Sequence, residues 1–188
     1  SKLQPLAACP HSPDAIKTIE SLKGMKVDQV AIGSCTNSSF TDLMTVANIL
    51  KGKKVHPDVS LVLSFGSKQV LRMLADCGAL SDILASGARV LECACGPCIG
   101  MGFSPNSAGV SLRTFNRNFI GRSGTADASV YLVSPETAVA AAITGYITDP
   151  RLLGEMPEIK MPVNFKIDDS AVIEPATPEE AENLEILR

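Results

Sequence analysis

The sequence predicts a three-layer α/β/α fold with a mainly parallel sheet, and two observations lead to this prediction. Short apolar runs alternate with amphipathic segments that Gly or Pro bounds, as in successive β-α-β units. The hydrophobic fraction of the 188 residues is 45 %, but the aromatic fraction is only 4 %. Aliphatic residues must therefore form the core, as is typical of a buried parallel sheet.

The apolar runs and the helical patterns give the predicted elements in order. Strands are predicted at 27–33, 59–65, 88–91, 109–116 and 130–134. Helices are predicted at 40–50, 68–75, 80–86 and 135–145, with a short one at Asp14–Leu22 that follows Pro13. Strands and helices that alternate in this way predict a parallel sheet.

The composition changes near Asp149, where Pro and acidic residues become frequent. We expect residues 1–149 to form the α/β domain and residues 150–188 to form an extended tail or linker. The alternative is a small extra subdomain in which Val163–Ile167 forms a strand.

Charge and hydropathy exclude several classes of partner. The net charge is −3 and no polybasic run is present, so we expect no nucleic-acid partner. No apolar stretch reaches transmembrane length and no secretory signal pattern is present, so we expect no membrane partner. We expect a cytoplasmic protein, or a protein of the mitochondrial matrix if the source is a eukaryote.

Three of the six cysteines are predicted to meet at one edge of the sheet. Cys35 directly follows the first predicted strand, and Cys95 and Cys98 form a CxxC pair just after the third. The carboxyl ends of parallel strands share one edge, where ligands bind in open α/β sheets. The helix that starts after Cys35 is expected to add a positive field that favours thiolates.

Three thiolates without a fourth suggest a 4Fe–4S cluster in which one iron lacks a protein ligand and can act as a Lewis acid. Several alternatives stay open at this point. Cys93 as a fourth ligand would close the site, and a structural zinc site, a redox dithiol or a disulfide framework would also use these cysteines.

Two arginines five residues apart, Arg117 and Arg122, follow the fourth predicted strand. The planar guanidinium binds carboxylates in a bidentate way, so the pair suits a di- or tricarboxylate substrate. The alternative is a pair of surface arginines in solvated ion pairs.

Three motifs together resemble the cluster-binding third domain of the aconitase family, which includes aconitase, homoaconitase and isopropylmalate dehydratase. They are GSCTNSS at 33–39, ACGPCIG at 94–100 and FNRNFIGR at 115–122, and the resemblance extends from about Val27 to Pro150. The ACGPC and TFNRNF segments look closer to aconitases than to isopropylmalate dehydratases, whose loop more often has GCGPC.

The resemblance implies a role for each matching residue. Cys35, Cys95 and Cys98 would ligate a 4Fe–4S cluster. Asn116 would donate a hydrogen bond near the cluster, and Arg117 and Arg122 would hold substrate carboxylates.

The implied reaction is that of an aconitate hydratase-like hydro-lyase, which isomerises citrate and isocitrate through cis-aconitate in the tricarboxylic acid cycle. A homoaconitase or isopropylmalate dehydratase large-subunit piece, or a non-catalytic cluster-binding or sensor module, is the alternative.

The family's catalytic base lies in a swivelling domain that these residues do not include. We therefore expect no catalytic base in this chain, and the remaining aconitase domains as partners in cis or in trans. The chain is expected to be a fragment or a separately encoded piece that has little dehydratase activity alone.

Overall fold

A computed structural model describes residues 3–155, 158–163 and 167–182 of the chain. These residues form a seven-stranded sheet in the order β2-β1-β7-β6-β3-β4-β5. The strands are β1 (Leu6–Ala8), β2 (Ile16–Thr18), β3 (Gln29–Gly33), β4 (Ser60–Ser64), β5 (Arg89–Leu91), β6 (Val110–Arg113) and β7 (Ser129–Leu132).

Strands β3 to β7 are parallel, whereas β1 and β2 add an antiparallel edge next to β7. In the central register, Val30 of β3 lies between Leu61 of β4 and Leu112 of β6. All three side chains are buried, as expected for a parallel sheet that is covered on both faces. The mainly parallel α/β class is confirmed.

Four α-helices cover one face of the sheet. They are α1 (Phe40–Leu50), α2 (Lys68–Asp76), α3 (Ala79–Ala85) and α4 (Pro135–Thr144), and they pack against one another. The main apolar core lies between these helices and the sheet. A further helix, α5 (Pro178–Glu182), lies in the tail. The boundaries of α1 to α4 agree with the predicted ones to within one residue.

The opposite face is covered by the connection from β5 to β6. This connection crosses behind β4 and β3 in the reverse direction of the earlier crossovers, and a right-handed crossover in that direction must use the other face. Its only regular element among the described residues is a 3-10 turn at Gly96–Ile99. A layer therefore lies on each face, and the second one is a loop with a 3-10 turn.

The helix predicted at Asp14–Leu22 is wrong. The structure has strand β2 there, followed by a 3-10 turn at Glu20–Leu22, and β2 pairs with β1 through Leu6 and Thr18. Branching at Cβ in Ile16 and Thr18 favours a strand. Strand β1 also pairs with the edge of β7, where Ala8 lies opposite Leu132. The periodicity of a single segment cannot reveal a contact between residues so far apart in the sequence.

The described part of the tail lies partly on α1 and α2. Thr41 Oγ1 donates to Met161 Sδ at 3.4 Å, and an exposed salt bridge of 3.6 Å joins Arg72 to Asp168. Residues 164–166 of the alternative strand at Val163–Ile167 lie outside the described residues, and the domain boundary at 149 stays a prediction. Among the described residues, no helix combines the length and the apolar character that a membrane crossing requires.

Candidate metal centre

The six residues singled out from the sequence line one cavity at the carboxyl edge of the parallel strands. Its volume is about 310 Å³, and Gly96, Ile99, Met101 and Phe115 complete the wall. The six residues are Cys35, Cys95, Cys98, Asn116, Arg117 and Arg122. The structure thus brings together three segments that are distant in the sequence. The roles of these residues remain predictions.

The turn that carries Cys35 is fixed by both neighbouring strands. At Gly33 the φ angle is 105°, and a Cβ atom there would lie 1.9 Å from the carbonyl oxygen of Ser64, so only glycine fits. The amide of Ser34 donates to the same carbonyl at 2.7 Å, and the amide of Gly33 donates to Thr114 Oγ1 at 2.8 Å. Cys35 therefore leaves β3 in a defined direction.

Helix α1 contributes less to this turn than the sequence predicted. Its N-cap is Ser39, which forms a capping box with Asp42. One first-turn amide, that of Asp42, already donates to Ser39 Oγ at 3.2 Å. Residues 36–39 separate Cys35 from the helix, so neighbouring side chains set the environment of the thiol.

The CxxC segment is held against the Cys35 turn and against the loop between β6 and β7, which carries Arg117 and Arg122 and which we call the arginine loop. Gly100 has a φ angle of 86°, and a Cβ atom there would lie 2.3 Å from the carbonyl oxygen of Ser123. The Cys98 Sγ atom lies 2.9 Å from Ser34 Oγ. The second cysteine motif therefore contacts both other segments that form the cavity.

The thiols of Cys35 and Cys93 differ in their acidity. A hydrogen bond from the Thr36 hydroxyl, whose Oγ1 lies 3.7 Å from Cys35 Sγ, lowers the pKa of the Cys35 thiol, with smaller contributions from Ser34 and Asn116. Burial, and secondly the Glu92 carboxylate, raise the pKa of Cys93. Cys93 packs against the main core and lies outside the cavity wall, so the geometry does not support it as a fourth ligand.

The arginines of the cavity have no acidic partner among the described residues. Neither Arg117, which is exposed, nor Arg122, which is half-buried, takes part in a salt bridge there. The Arg122 guanidinium lies 5.7 Å from the centre of the Phe119 ring, a contact that limits its orientation. The solvated ion pairs of the alternative interpretation are thus not found among the described residues, and both arginines line the cavity that the three cysteines also line.

Sequence reasoning missed two buried polar residues that support this edge. Asn118 Nδ2 donates to the Cys9 carbonyl at 2.6 Å and to the Val130 carbonyl at 3.3 Å, which attaches the arginine loop to β1 and β7. Arg113, at the end of β6, is 0 % exposed. The sequence signal for Arg113 was a single Arg inside the otherwise mainly apolar segment VSLRTF, residues 110–115.

Burial lowers the pKa of Arg113 to about 10, and the nearby Cys98 thiolate acts in the opposite direction. The guanidinium is therefore charged at neutral pH. Its contacts lie entirely within the loop-covered face of the sheet.

The donor set fits a polynuclear cluster better than a single ion. No group of three or more His, Cys, Asp or Glu side chains in the described ranges is placed so that it could hold one metal ion. A closed zinc site at these cysteines is therefore not supported. The thiols instead surround a cavity, and two of them, Cys35 and Cys95, are exposed. Three thiols around a space of this size suit a 4Fe–4S cluster with one iron free of protein ligands.

Comparisons with known proteins identify the family of the chain. Residues 7–145 match the family described as "Aconitase family (aconitate hydratase)". The chain is 41 % identical over 149 residues to the 3-isopropylmalate dehydratase large subunit of Caldanaerobacter subterraneus subsp. tengcongensis. It is 44 % identical over 150 residues to 3-isopropylmalate dehydratase large subunit 1 of Archaeoglobus fulgidus. Each match covers 79 % of this chain and 36 % of the relative.

The chain thus spans little more than a third of the length of these curated relatives. The family match, in contrast, covers 139 of the 188 residues, including all three motifs and the whole cavity. The chain belongs to the aconitase family.

Proposed function

We propose that this chain is the cluster-binding part of a hydro-lyase that dehydrates a hydroxy dicarboxylate of the 3-isopropylmalate type. The observation that carries the proposal is the single cavity that three cysteines, an asparagine and two arginines line. The relatives described above are named as large subunits of 3-isopropylmalate dehydratase. They favour this substrate over citrate, which the ACGPC segment led us to expect.

The side chains of the cavity wall support the same substrate. Ala94, the residue that distinguishes ACGPC from GCGPC, is not part of the wall, so it is a poor guide to the substrate. Ile99 and Met101 line the cavity and are 47 % and 66 % exposed. An apolar wall of this kind suits the branched alkyl group of 3-isopropylmalate better than the third carboxylate of citrate.

Each polar residue of the cavity has a role in the proposed reaction. Arg117 and Arg122 bind the two carboxylates and orient the substrate, since each guanidinium can donate two parallel hydrogen bonds. Asn116 donates a hydrogen bond at the same edge. A 4Fe–4S cluster held by the three cysteines supplies a Lewis-acidic iron when it is bound. The general base comes from a further domain or subunit, which we propose as the partner.

Anaerobic reconstitution with iron and sulfide tests the proposal. We expect about four iron atoms per chain and the absorbance and EPR signals of a 4Fe–4S cluster. Cys35→Ser should lose most of this loading because it removes one of three ligands. Cys77→Ser is the matched control, since Cys77 is also exposed but lies beside Met44, away from the cavity. A wild-type chain that takes up no cluster, or equal loading of both variants, would overturn the proposal.

The substrate assignment needs a second measurement on the reconstituted chain. We expect 3-isopropylmalate to change the EPR signal at lower concentration than citrate does. Arg117→Met should weaken this response without lowering iron content. Arg117 is exposed and forms no salt bridge with another described residue, so its loss should leave the fold unchanged. A stronger response to citrate would restore the aconitate hydratase alternative.

A further inference from the structure

Arg113 is a buried cation that has no carboxylate partner among the residues that the structure describes. Its side chain is fully buried at the end of β6, and no salt bridge within the described part of the chain includes it. Burial of an unpaired charge is costly unless polar groups or an opposite charge compensate for it. The surroundings of Arg113 therefore need an explanation.

The guanidinium donates to both ends of one loop, residues 95–104, which we call the cysteine loop. Nη1 donates to the carbonyl of Pro97, which stands between the two cysteines of the CxxC pair. Nη2 donates to the carbonyl of Phe103 at 2.7 Å. Because the guanidinium is rigid and planar, these two bonds fix the distance between the ends of the loop.

Two polar side chains of the sheet hold Arg113 in place. Nε donates to Ser111 Oγ at 3.1 Å, and Nη2 donates to Gln29 Oε1 at 3.0 Å. Gln29 in turn donates from Nε2 to the Ser104 carbonyl at 3.0 Å. The network therefore joins β3 and β6 to the cysteine loop, and all its acceptors are neutral.

Two aromatic rings lie close to the charged group. The guanidinium carbon lies 5.5 Å from the centre of the Phe115 ring and 5.9 Å from that of Phe103. Cys98 packs against the same small apolar cluster, which also contains Val62. A cysteine of the proposed ligand set thus packs against the same apolar cluster as this charge.

We propose that Arg113 is a positioning residue of the cluster site, which holds the cysteine loop through its carbonyl groups and offsets the negative charge of the thiolate-bound cluster. This inference rests on the proposed function, because it requires a cluster at Cys35, Cys95 and Cys98. The inference gives Arg113 two properties that can be tested separately. One is the pair of hydrogen bonds from its planar guanidinium to the loop carbonyls, which we call the fork, and the other is its buried positive charge.

Two substitutions separate these properties in the full chain. Arg113→Met removes both the fork and the charge, whereas Arg113→Lys keeps the charge and loses the fork. Arg89→Met is the matched control: Arg89 also lies 5.9 Å from the Phe103 ring, but it is exposed. Iron content, the rate of cluster loss to a chelator and the midpoint potential of the cluster are measured for each variant.

We expect Arg113→Met to lose its cluster several-fold faster than wild type and to shift the midpoint potential to more negative values. The sign follows because a nearby positive charge favours the added electron. Arg113→Lys should also lose its cluster several-fold faster, but with a midpoint potential close to that of wild type. Arg89→Met should match wild type in both measurements.

Wild-type retention and potential in both Arg113 variants would overturn this inference and leave the proposed function standing. A wild-type chain that binds no cluster would instead overturn the proposed function and this inference together. Circular dichroism of each cluster-free variant shows whether it folds. If the Met variant does not fold, the Lys variant decides alone, and unchanged cluster retention in it would overturn the inference.

Discussion

The two faces of the sheet are covered in different ways. On one face, α1 to α4 bury a large apolar core that includes the fully buried Leu63 and Leu112. On the other face, a loop covers a small cluster around Val62 and Phe103, and a charged Arg113 lies within it. The two faces therefore contribute differently: the helices supply most of the buried apolar area, and the loop presents Cys95 and Cys98.

Substitutions at adjacent residues of β4 test most directly whether the two faces differ in their contributions to stability and to cluster loading. Leu63 faces the helices, whereas Val62 faces the loop. Leu63→Ala should lower the free energy of unfolding by roughly 2–5 kcal/mol, because it opens a cavity in the main core. Val62→Ala should cost less stability but should lower cluster loading more at equal folded fraction. Chemical denaturation and iron content measure both effects, and loading that follows stability alone would contradict this difference between the faces.

Two glycines of the cysteine loop test whether its contact with a neighbouring loop matters for cluster loading. Gly100 and Gly102 have φ angles of 86° and 74°, but only at Gly100 does an added Cβ meet another segment, the loop that carries Arg122. Alanine at either position should cost on the order of 1–3 kcal/mol of backbone strain. We expect Gly100→Ala also to lower cluster loading, since the cysteine loop must move. Equal loading of the two variants would show that this contact does not matter.

The helix-covered face should tolerate loss of a cap without any effect on the site. Ser39→Ala removes the N-cap of α1 and should lower the free energy of unfolding by about 1 kcal/mol. Iron content per folded chain should stay at the wild-type value, because residues 36–38 separate the cap from Cys35. Reduced loading would show that the two regions are coupled through α1.

The smallest effect we expect is a few-fold difference in thiol reactivity of the cluster-free chain. The lowered pKa gives Cys35 a larger thiolate fraction than Cys93, whose pKa is raised, so iodoacetamide should alkylate Cys35 faster near neutral pH. The ratio should fall as the pH rises and both thiols ionise. Thr36→Val should reduce the ratio, because it removes the hydrogen bond that lowers the pKa. Peptide mass spectrometry follows both residues, and a ratio that does not depend on pH would contradict this cause.

Local patterns were sufficient for most elements of the fold. Helix α1 follows from the spacing of its apolar residues, and β3 to β7 follow from short apolar runs between Gly and Pro. Strands β1 and β2 were missed because each has only three residues, and because β1 pairs with the distant β7 and β2 in turn pairs with β1. The periodicity of a single segment contains no information about such a partner.

The same distinction applies to the candidate site. The rule that parallel strands share a carboxyl edge was enough to place Cys35 beside Cys95 and Cys98. The supporting role of Arg113 could not be predicted, because its acceptors are backbone carbonyls of a loop. Likewise, Asn118 donates hydrogen bonds to carbonyls of β1 and β7, two strands that lie side by side only in the folded sheet. The sequence predicts which residues carry the chemistry, whereas the contacts that orient them depend on the completed fold.

The order of the strands has a consequence for how the chain folds. Strand β3 pairs with β4 across about 31 residues, but Gln29 and Ser111 of β3 and β6 are 82 residues apart. Closing the longer loop costs more entropy, so we expect the pairing of β3 with β6 to form late. The cavity requires both pairings. A nascent chain would then have no complete cavity until β6 has paired with β3, because Asn116, Arg117 and Arg122 follow β6.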